Sequence, residues 1–386
     1  MVEQTGDRMR EVAPFTVMVI MEACTIALTI LAKTALTGGV SPFVFVVYTN
    51  AIGSSLLLPF SFLYHRTERS PSSPLYTCTV YIYSTTQQSF FTFPLLLRIF
   101  FMGLTGTAIS QNLAFLGLSY SSPIVVCATG LLLPSISFLL SIILRTTKLD
   151  WRNSSSQAKL MGTFISIAGF IFVELYRGPF IRTSPVSLAR PLQAIPNLFV
   201  FYSTPDRWVL GGTLLAGANL SVSIWNTIQT GTVKHCPQVM KVASFYSFVG
   251  TIQCLLFSLF MERDLDAWKV QHKRDLLLII VTGMFGSVIR SNVHLACTRM
   301  KGPFYVPMFK PFGILFATIF GTSFFTNSLQ YGSVIGTVIV GTGYCALMWG
   351  QIREAELGKE LDVEKGDDIS DLKAPLLQEQ KEDAQV

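Results

Sequence analysis

Four ionisable side chains interrupt stretches of this 386-residue chain that are otherwise apolar: Glu22 in "IMEACT", Arg290 and His294 in "GSVIRSNVHLACT", and Lys310 in "VPMFKPF". Such groups inside apolar spans mark solute and proton pathways or paired structural charges. A carboxylate taken out of water, as at Glu22, suits proton coupling or recognition of an amine. The ammonium of Lys310 suits a carboxylate, and Arg290 with His294 one turn on suits an anion path. Each cation also has a bland reading. Arg290 lies about seven residues from a helix end, close enough to snorkel, and Lys310 could be neutralised by a structural partner such as Glu22.

Pro307 and Pro311 flank Lys310. Proline removes a hydrogen-bond donor and loosens a helix, freeing carbonyls near a cavity. Asn112, Pro134, Asn292, Pro307 and Pro311 are therefore candidate helix-break and cavity-lining positions.

Enzyme chemistry lacks its motifs. No GxxxxGK[ST] phosphate loop is present, which argues against an ATP-driven pump. The four histidines (65, 235, 272, 294) show no ligand or acid–base spacing. The seven cysteines (24, 78, 127, 236, 254, 297, 345) form no CxxC and no paired framework. We expect no metal, no cofactor and no catalysis.

The elements that must hold these residues follow from composition. Half of the chain is hydrophobic and 13% is charged, with a mean hydropathy of +0.49. Soluble chains carry about 25% charged residues, so this one belongs in a lipid bilayer. Ten stretches are long enough to cross it, near 12–32, 40–64, 95–118, 120–144, 158–176, 207–228, 240–261, 275–297, 302–323 and 329–349. Helices are required because lipid offers the backbone no partner. The fold class is an all-α integral membrane protein of ten transmembrane helices. The first stretch follows Glu3, Asp7 and Glu11 rather than a basic leader, so it reads as a retained helix.

The formal charge of +6 is loop charge that orients a membrane protein, and nucleic acid is not an expected partner. With both termini on one side, the ends and loops of that side, the loop 145–159 with Lys159 included, hold 17 Lys/Arg and those of the other hold 9. Both termini are then cytoplasmic.

The chain also repeats. "GLTGTAISQNLAFLGLSYSSP", 103–123, matches "GMFGSVIRSNVHLACTRMKGP", 283–303, at an offset of 180 through Gly103, Gly106, Ile109, Asn112 and Pro123. Gly53, Phe60 and Arg66 recur at 197 as Gly250, Phe257 and Arg263. Gly162, Thr163, Ile165 and Gly169 recur at 174 as Gly336, Thr337, Ile339 and Gly343. Helices 1–5 thus correspond to 6–10. Since five is odd, the copies enter the membrane from opposite faces, as two inverted five-helix repeats with a solute site where they meet. The repeated glycines read as packing positions. Arg290 replaces a small residue, Ser110, and Lys310 stands opposite Leu133, so both charges belong to one half only.

The domains are a cytoplasmic N-terminus (1–11), the first repeat (12–176), a proline-rich linker (177–206), the second repeat (207–349) and a disordered cytoplasmic tail (350–386). The tail contains "DLKAPLL", similar to a dileucine sorting signal, and the polar segment 70–89 reads as a cytoplasmic loop.

Three stretches resemble the plant Walls-Are-Thin-related proteins, nodulin-like and EamA-type members of the drug/metabolite transporter superfamily. They are "AKTALTGGVSPFVFVVYTNAIGSSLLLPFSF", "SSSQAKLMGTFISIAGFIFVELYRGP" and "GSVIGTVIVGTGYCALMWGQIRE". The resemblance covers roughly residues 12–355 and implies two EamA-like inverted repeats. It also implies movement of small organic solutes, amino acids or auxin-like compounds, across the plasma or vacuolar membrane. Departures occur at Tyr48-Thr49, Leu131, Thr147 and Thr326-Asn327, where the family carries other polar residues. The expectation is a secondary transporter or facilitator working by alternating access. Its partners are a small-molecule solute, a proton where transport is coupled, and the lipid bilayer; a homo-oligomer is compatible with it. Two rivals stand beside it: a carrier of phosphorylated metabolites or nucleotide sugars, and a transport-inactive scaffold or sensor.

Overall fold

The computed structural model describes residues 2–68, 93–146, 152–176, 208–235, 239–270, 272–324 and 331–382. The expected loop 70–89, the linker 177–206, Thr147 and Thr326-Asn327 lie outside the described residues. The helices, in chain order, are α1 (Val2–Thr37), α2 (Pro42–Glu68), α3 (Phe93–Tyr120), α4 (Pro123–Ile143) and α5 (Ser154–Leu175). Then follow α6 (Trp208–His235), α7 (Val239–Met261), α8 (Lys273–Thr298), α9 (Pro307–Gly321) and α10 (Tyr331–Glu382). Among the described residues there is no strand. Nine of these helices contain an apolar span of membrane length, and α9 is a shorter apolar helix. The protein is a multi-pass all-α membrane protein.

Local chemistry sets the ends. α1 stops at Gly39, whose φ of +104° lets the Val40 amide turn back to Ala35 O at 3.1 Å. Pro42 and Pro123 open α2 and α4 at a position where a missing amide proton costs nothing. α8 ends before Gly302, at φ +97°, followed by Pro303. α9 starts with a 3-10 turn over Pro307–Phe309 because Pro307 and Pro311 cannot donate to an α ladder.

α10 runs on past its apolar span through Glu382, and the Glu, Lys, Leu and Ala content of that stretch favours helix. One expectation changes: Lys159, a loop cation by its sequence position, is buried on α5. It bonds Glu354 Oε2 of α10 at 2.7 Å and lies over the Phe138 ring of α4.

The packing order has a regular form. α2 lies on α7 and α5 on α10; α1 lies on α9 as α6 does on α4; α2 lies on α8 as α7 does on α3. Replacing each helix by the one five further on relates these pairings to one another, whereas others, α2 with α3 and α4 with α10 among them, have no such counterpart. Single residues follow the same rule. Gly53 of α2 meets Ser287 of α8, while Gly250 of α7 meets Thr107 of α3. Gly162 sits against Gly343, and Gly336 against Gly169. Both α3 and α8 contain a π segment, Leu104–Ile109 and Phe285–Ile289, ending on isoleucines 180 residues apart. Such segments often mark functional positions inside a helix.

Candidate solute site

α1 contributes one buried stripe, Met18, Met21, Glu22, Ile26 and Ile30, to the bundle interior. Glu22 is 3% exposed, and its Oε1 accepts a hydrogen bond from Lys310 Nζ of α9 at 3.1 Å. On α9 the exposed Met308, Leu315 and Ile319 mark the outer face, while Phe309 and Ala317 are buried. Lys310, two residues from Met308, therefore points inward. Its side chain is nevertheless 40% exposed, so the contact with Glu22 does not seal the ammonium. Gly313, one turn on, leaves room beside Glu22 Oε2, which would stand 3.7 Å from a Cβ there.

α8 brings the other two groups. Arg290 and His294 lie at helical spacing with Cys297, which is buried against Met18 of α1. Arg290 is half-buried and within electrostatic range of Glu22, and His294 is within range of both Lys310 and Arg290. The four residues singled out in sequence thus gather at one place, from α1, α8 and α9. Counting His294 as neutral, they carry two positive charges and one negative. Lys310 is committed to Glu22 through one hydrogen bond, and Arg290 makes none among the described residues. A guanidinium has five donors in a planar fork that matches a carboxylate, and here that fork has no acceptor among the described residues.

The helix-break residues divide. Pro311 deprives Pro307 O of its i+4 donor, and Tyr344 of α10 donates its hydroxyl to that oxygen at 2.6 Å. Pro134 follows the break at Leu131 and Leu132 in α4, where Asn219 of α6 donates to Thr129 O at 2.6 Å. Asn112 and Asn292 each donate to the carbonyl four residues back, Ala108 and Val288, and so patch the turn beside each π segment. Asn112 also reaches Cys254 of α7 and is fully buried away from the charged cluster. Neither asparagine joins Glu22, Arg290, His294 and Lys310.

Three contributors were not singled out beforehand. Cys127 of α4 and Tyr344 of α10 both lie within electrostatic range of Glu22, and the Cys127 thiol donates to Gly313 O. Lys33 is buried and donates to Leu118 O and Ser119 O at 2.9 and 2.8 Å. It caps the last carbonyls of α3, where a cation complements the helix dipole. Its place at the edge of an apolar run gave no sign of this. Glu174 near the end of α5 is buried against Gly212 of α6.

The halves also differ in free space. A Cβ on Gly106 would run into Trp225 of α6, whereas one on Gly286, a turn before Arg290, would meet nothing within 4 Å. The first half is plugged where the second is open, beside its charges.

No family model matches the chain. Two WAT1-related proteins of Arabidopsis thaliana are similar to it along nearly their whole length. One is 60% identical, covering 97% of this chain and 98% of its own. Another is 53% identical, covering 96% of each. A third WAT1-related protein of that plant is 34% identical over 98% of both chains. With the multi-span helical architecture, these likenesses make the chain a plant WAT1-related protein, a membrane transporter of the drug/metabolite class.

Proposed function

We propose that the protein moves small organic carboxylates, amino acids or auxin-like compounds, by alternating access between two inverted five-helix repeats. The observation that carries this reading is Arg290. A half-buried guanidinium without an acceptor among the described residues, a turn after the open space at Gly286 and in the same cluster as Glu22, is a site that an anionic group completes. The pairings that a shift by five helices relates, α1 on α9 with α6 on α4 and α2 on α8 with α7 on α3, support the repeat. The charged cluster lies at the contact of α1 with α8 and α9, so the site joins elements of both halves, as in carriers built this way.

The test is uptake into proteoliposomes of labelled glutamine and indole-3-acetate, with a sugar phosphate as comparison. Both carboxylates should enter. Arg290→Gln should cut their uptake at least tenfold, since a charge-assisted hydrogen bond is worth about 1.5–3 kcal/mol. Uptake of neither carboxylate, or full activity in folded Arg290→Gln, defeats the reading. Preference for the sugar phosphate would favour the rival substrate class.

For topology, we propose cytoplasmic termini in the plasma or vacuolar membrane. The natural sequon at Asn153 is a poor reporter. Asn153 Oδ1 caps α5 by accepting from the Ser155 amide at 3.1 Å, and Ser155 is buried. It should stay unmodified on either side. A sequon engineered into the exposed turn around Asp264–Asp266, between α7 and α8, discriminates. Glycosylation there is the expected result, and its absence alongside modification of a second sequon engineered into the N-terminal segment 2–11 would invert the orientation.

A further inference from the structure

We infer that Glu22 is a resident counter-anion, holding on Lys310 the place that a solute carboxylate takes during transport. The inference rests on the carboxylate reading of the site but goes beyond it, since that reading requires only Arg290 and Lys310.

The first argument is geometric. Lys310 spends one hydrogen bond on Glu22 Oε1 while its side chain stays 40% exposed, so the ammonium can turn to a second acceptor without breaking a sealed contact. Glu22, by contrast, is buried and fixed on α1. Gly313 leaves its Oε2 without a side chain in the way. Arg290 lies within electrostatic range, so Glu22 keeps a cationic neighbour when Lys310 turns away.

The second argument comes from the other half. α6 meets α4 as α1 meets α9, and there the link at the helix break is the Asn219 amide on Thr129 O, with no charge at all. An amide therefore suffices to join these helices at a break. The ion pair at α1–α9 needs another reason, and charge balance supplies one. With the solute absent, Glu22 leaves the cluster with one net positive charge; a bound carboxylate brings it to zero. Without Glu22 the empty site would hold two uncompensated cations, and uncompensated charge within a bilayer is costly. The empty carrier would then reorient slowly, while the loaded one would still turn over.

Glu22→Gln should accordingly separate two modes of transport. Counterflow of labelled indole-3-acetate against the unlabelled compound, which needs only the loaded carrier, should stay within about twofold of the parent. Net uptake into empty vesicles should fall at least tenfold, with a lower half-saturating concentration. Glu22→Asp, which retains the charge, should recover net uptake. Equal loss of both modes, or loss of neither, overturns the inference. The Arg290→Gln result judges the carboxylate reading separately, because that variant should lose both modes. A readout on the parent protein avoids any folding defect. Indole-3-acetate should raise labelling of Glu22 by an apolar carbodiimide, read by mass spectrometry, as Lys310 leaves it. Unchanged or reduced labelling would count against the displacement.

Discussion

Lys310→Met should lower the amount of folded protein, and Glu22→Gln in the same chain should return it. The two partners are unequal, and that inequality sets the direction. Glu22 is 3% exposed and Lys310 is 40% exposed in its side chain. Removing the lysine strands a buried carboxylate; removing the glutamate leaves an ammonium that water in the cavity can still reach. Breaking a buried pair from one side costs about 3–5 kcal/mol. Solvent access to Lys310 and the nearness of Arg290 reduce this to about 2–3 kcal/mol, still enough to deplete a marginally stable protein. Methionine fills a volume close to that of lysine, so the loss reports charge rather than packing. The double variant has no charge left to strand and should match the parent in abundance and thermal stability in detergent. Its carboxylate transport should remain at least tenfold down, equivalent to about 1.4 kcal/mol. A stable Lys310→Met single variant would remove the pair from the fold, and parental transport by the double variant would remove Lys310 from the site.

The sequence carried the number and order of the apolar helices, with ends that differ by up to about nine residues, because hydropathy and length are local properties. It also carried the identity of the four charged residues, since charge inside an apolar run is visible without neighbours. It could not carry who meets whom. The depth at which Glu22 faces Lys310 depends on the registration of α1 against α9, 288 residues apart in sequence. For that reason the two readings of Lys310, solute contact or structural partner, could not be separated there. The geometry supplies the protein partner, and the exposure of the ammonium leaves the solute contact available.

Repeated glycines show the same limit. Gly106 and Gly286 occupy the same place in the repeat, yet one is pressed by Trp225 and the other borders open space. Equal letters had suggested equal roles. Lys33 and Lys159 were hidden for a related reason: each lies at the edge of an apolar run, where a cation normally reads as solvated. Burial became tolerable only through carbonyls of α3 for Lys33 and through Glu354 for Lys159.

Gly162→Ala should be among the most damaging single methyl groups that can be added to this protein. A Cβ at that position would lie 2.6 Å from Gly343 O and 2.6 Å from Leu347 N, both backbone atoms of α10. Neither can swing aside as a side chain would, so α5 and α10 must separate. That interface is extensive: Gly169 fits against the Val340 backbone, and Gly350 fits against Ser155 O and Lys159. Separation would loosen these contacts together and draw Glu354 away from Lys159. Overpacking of this kind costs about 1–3 kcal/mol, and the rigidity of both neighbours places Gly162→Ala near the upper end. Gly343→Ala should behave alike, because its Cβ would meet Gly162 O at 2.7 Å. The pair should be less than additive, since one separation of the helices accommodates both methyl groups. Gly286→Ala is the control: with nothing within 4 Å of its Cβ, it should keep parental abundance, although it stands in the same repeat pattern. The measurement is thermal stability of the four purified variants in one detergent. A Gly162→Ala protein as stable as Gly286→Ala would show that α5 and α10 do not pack through their glycines.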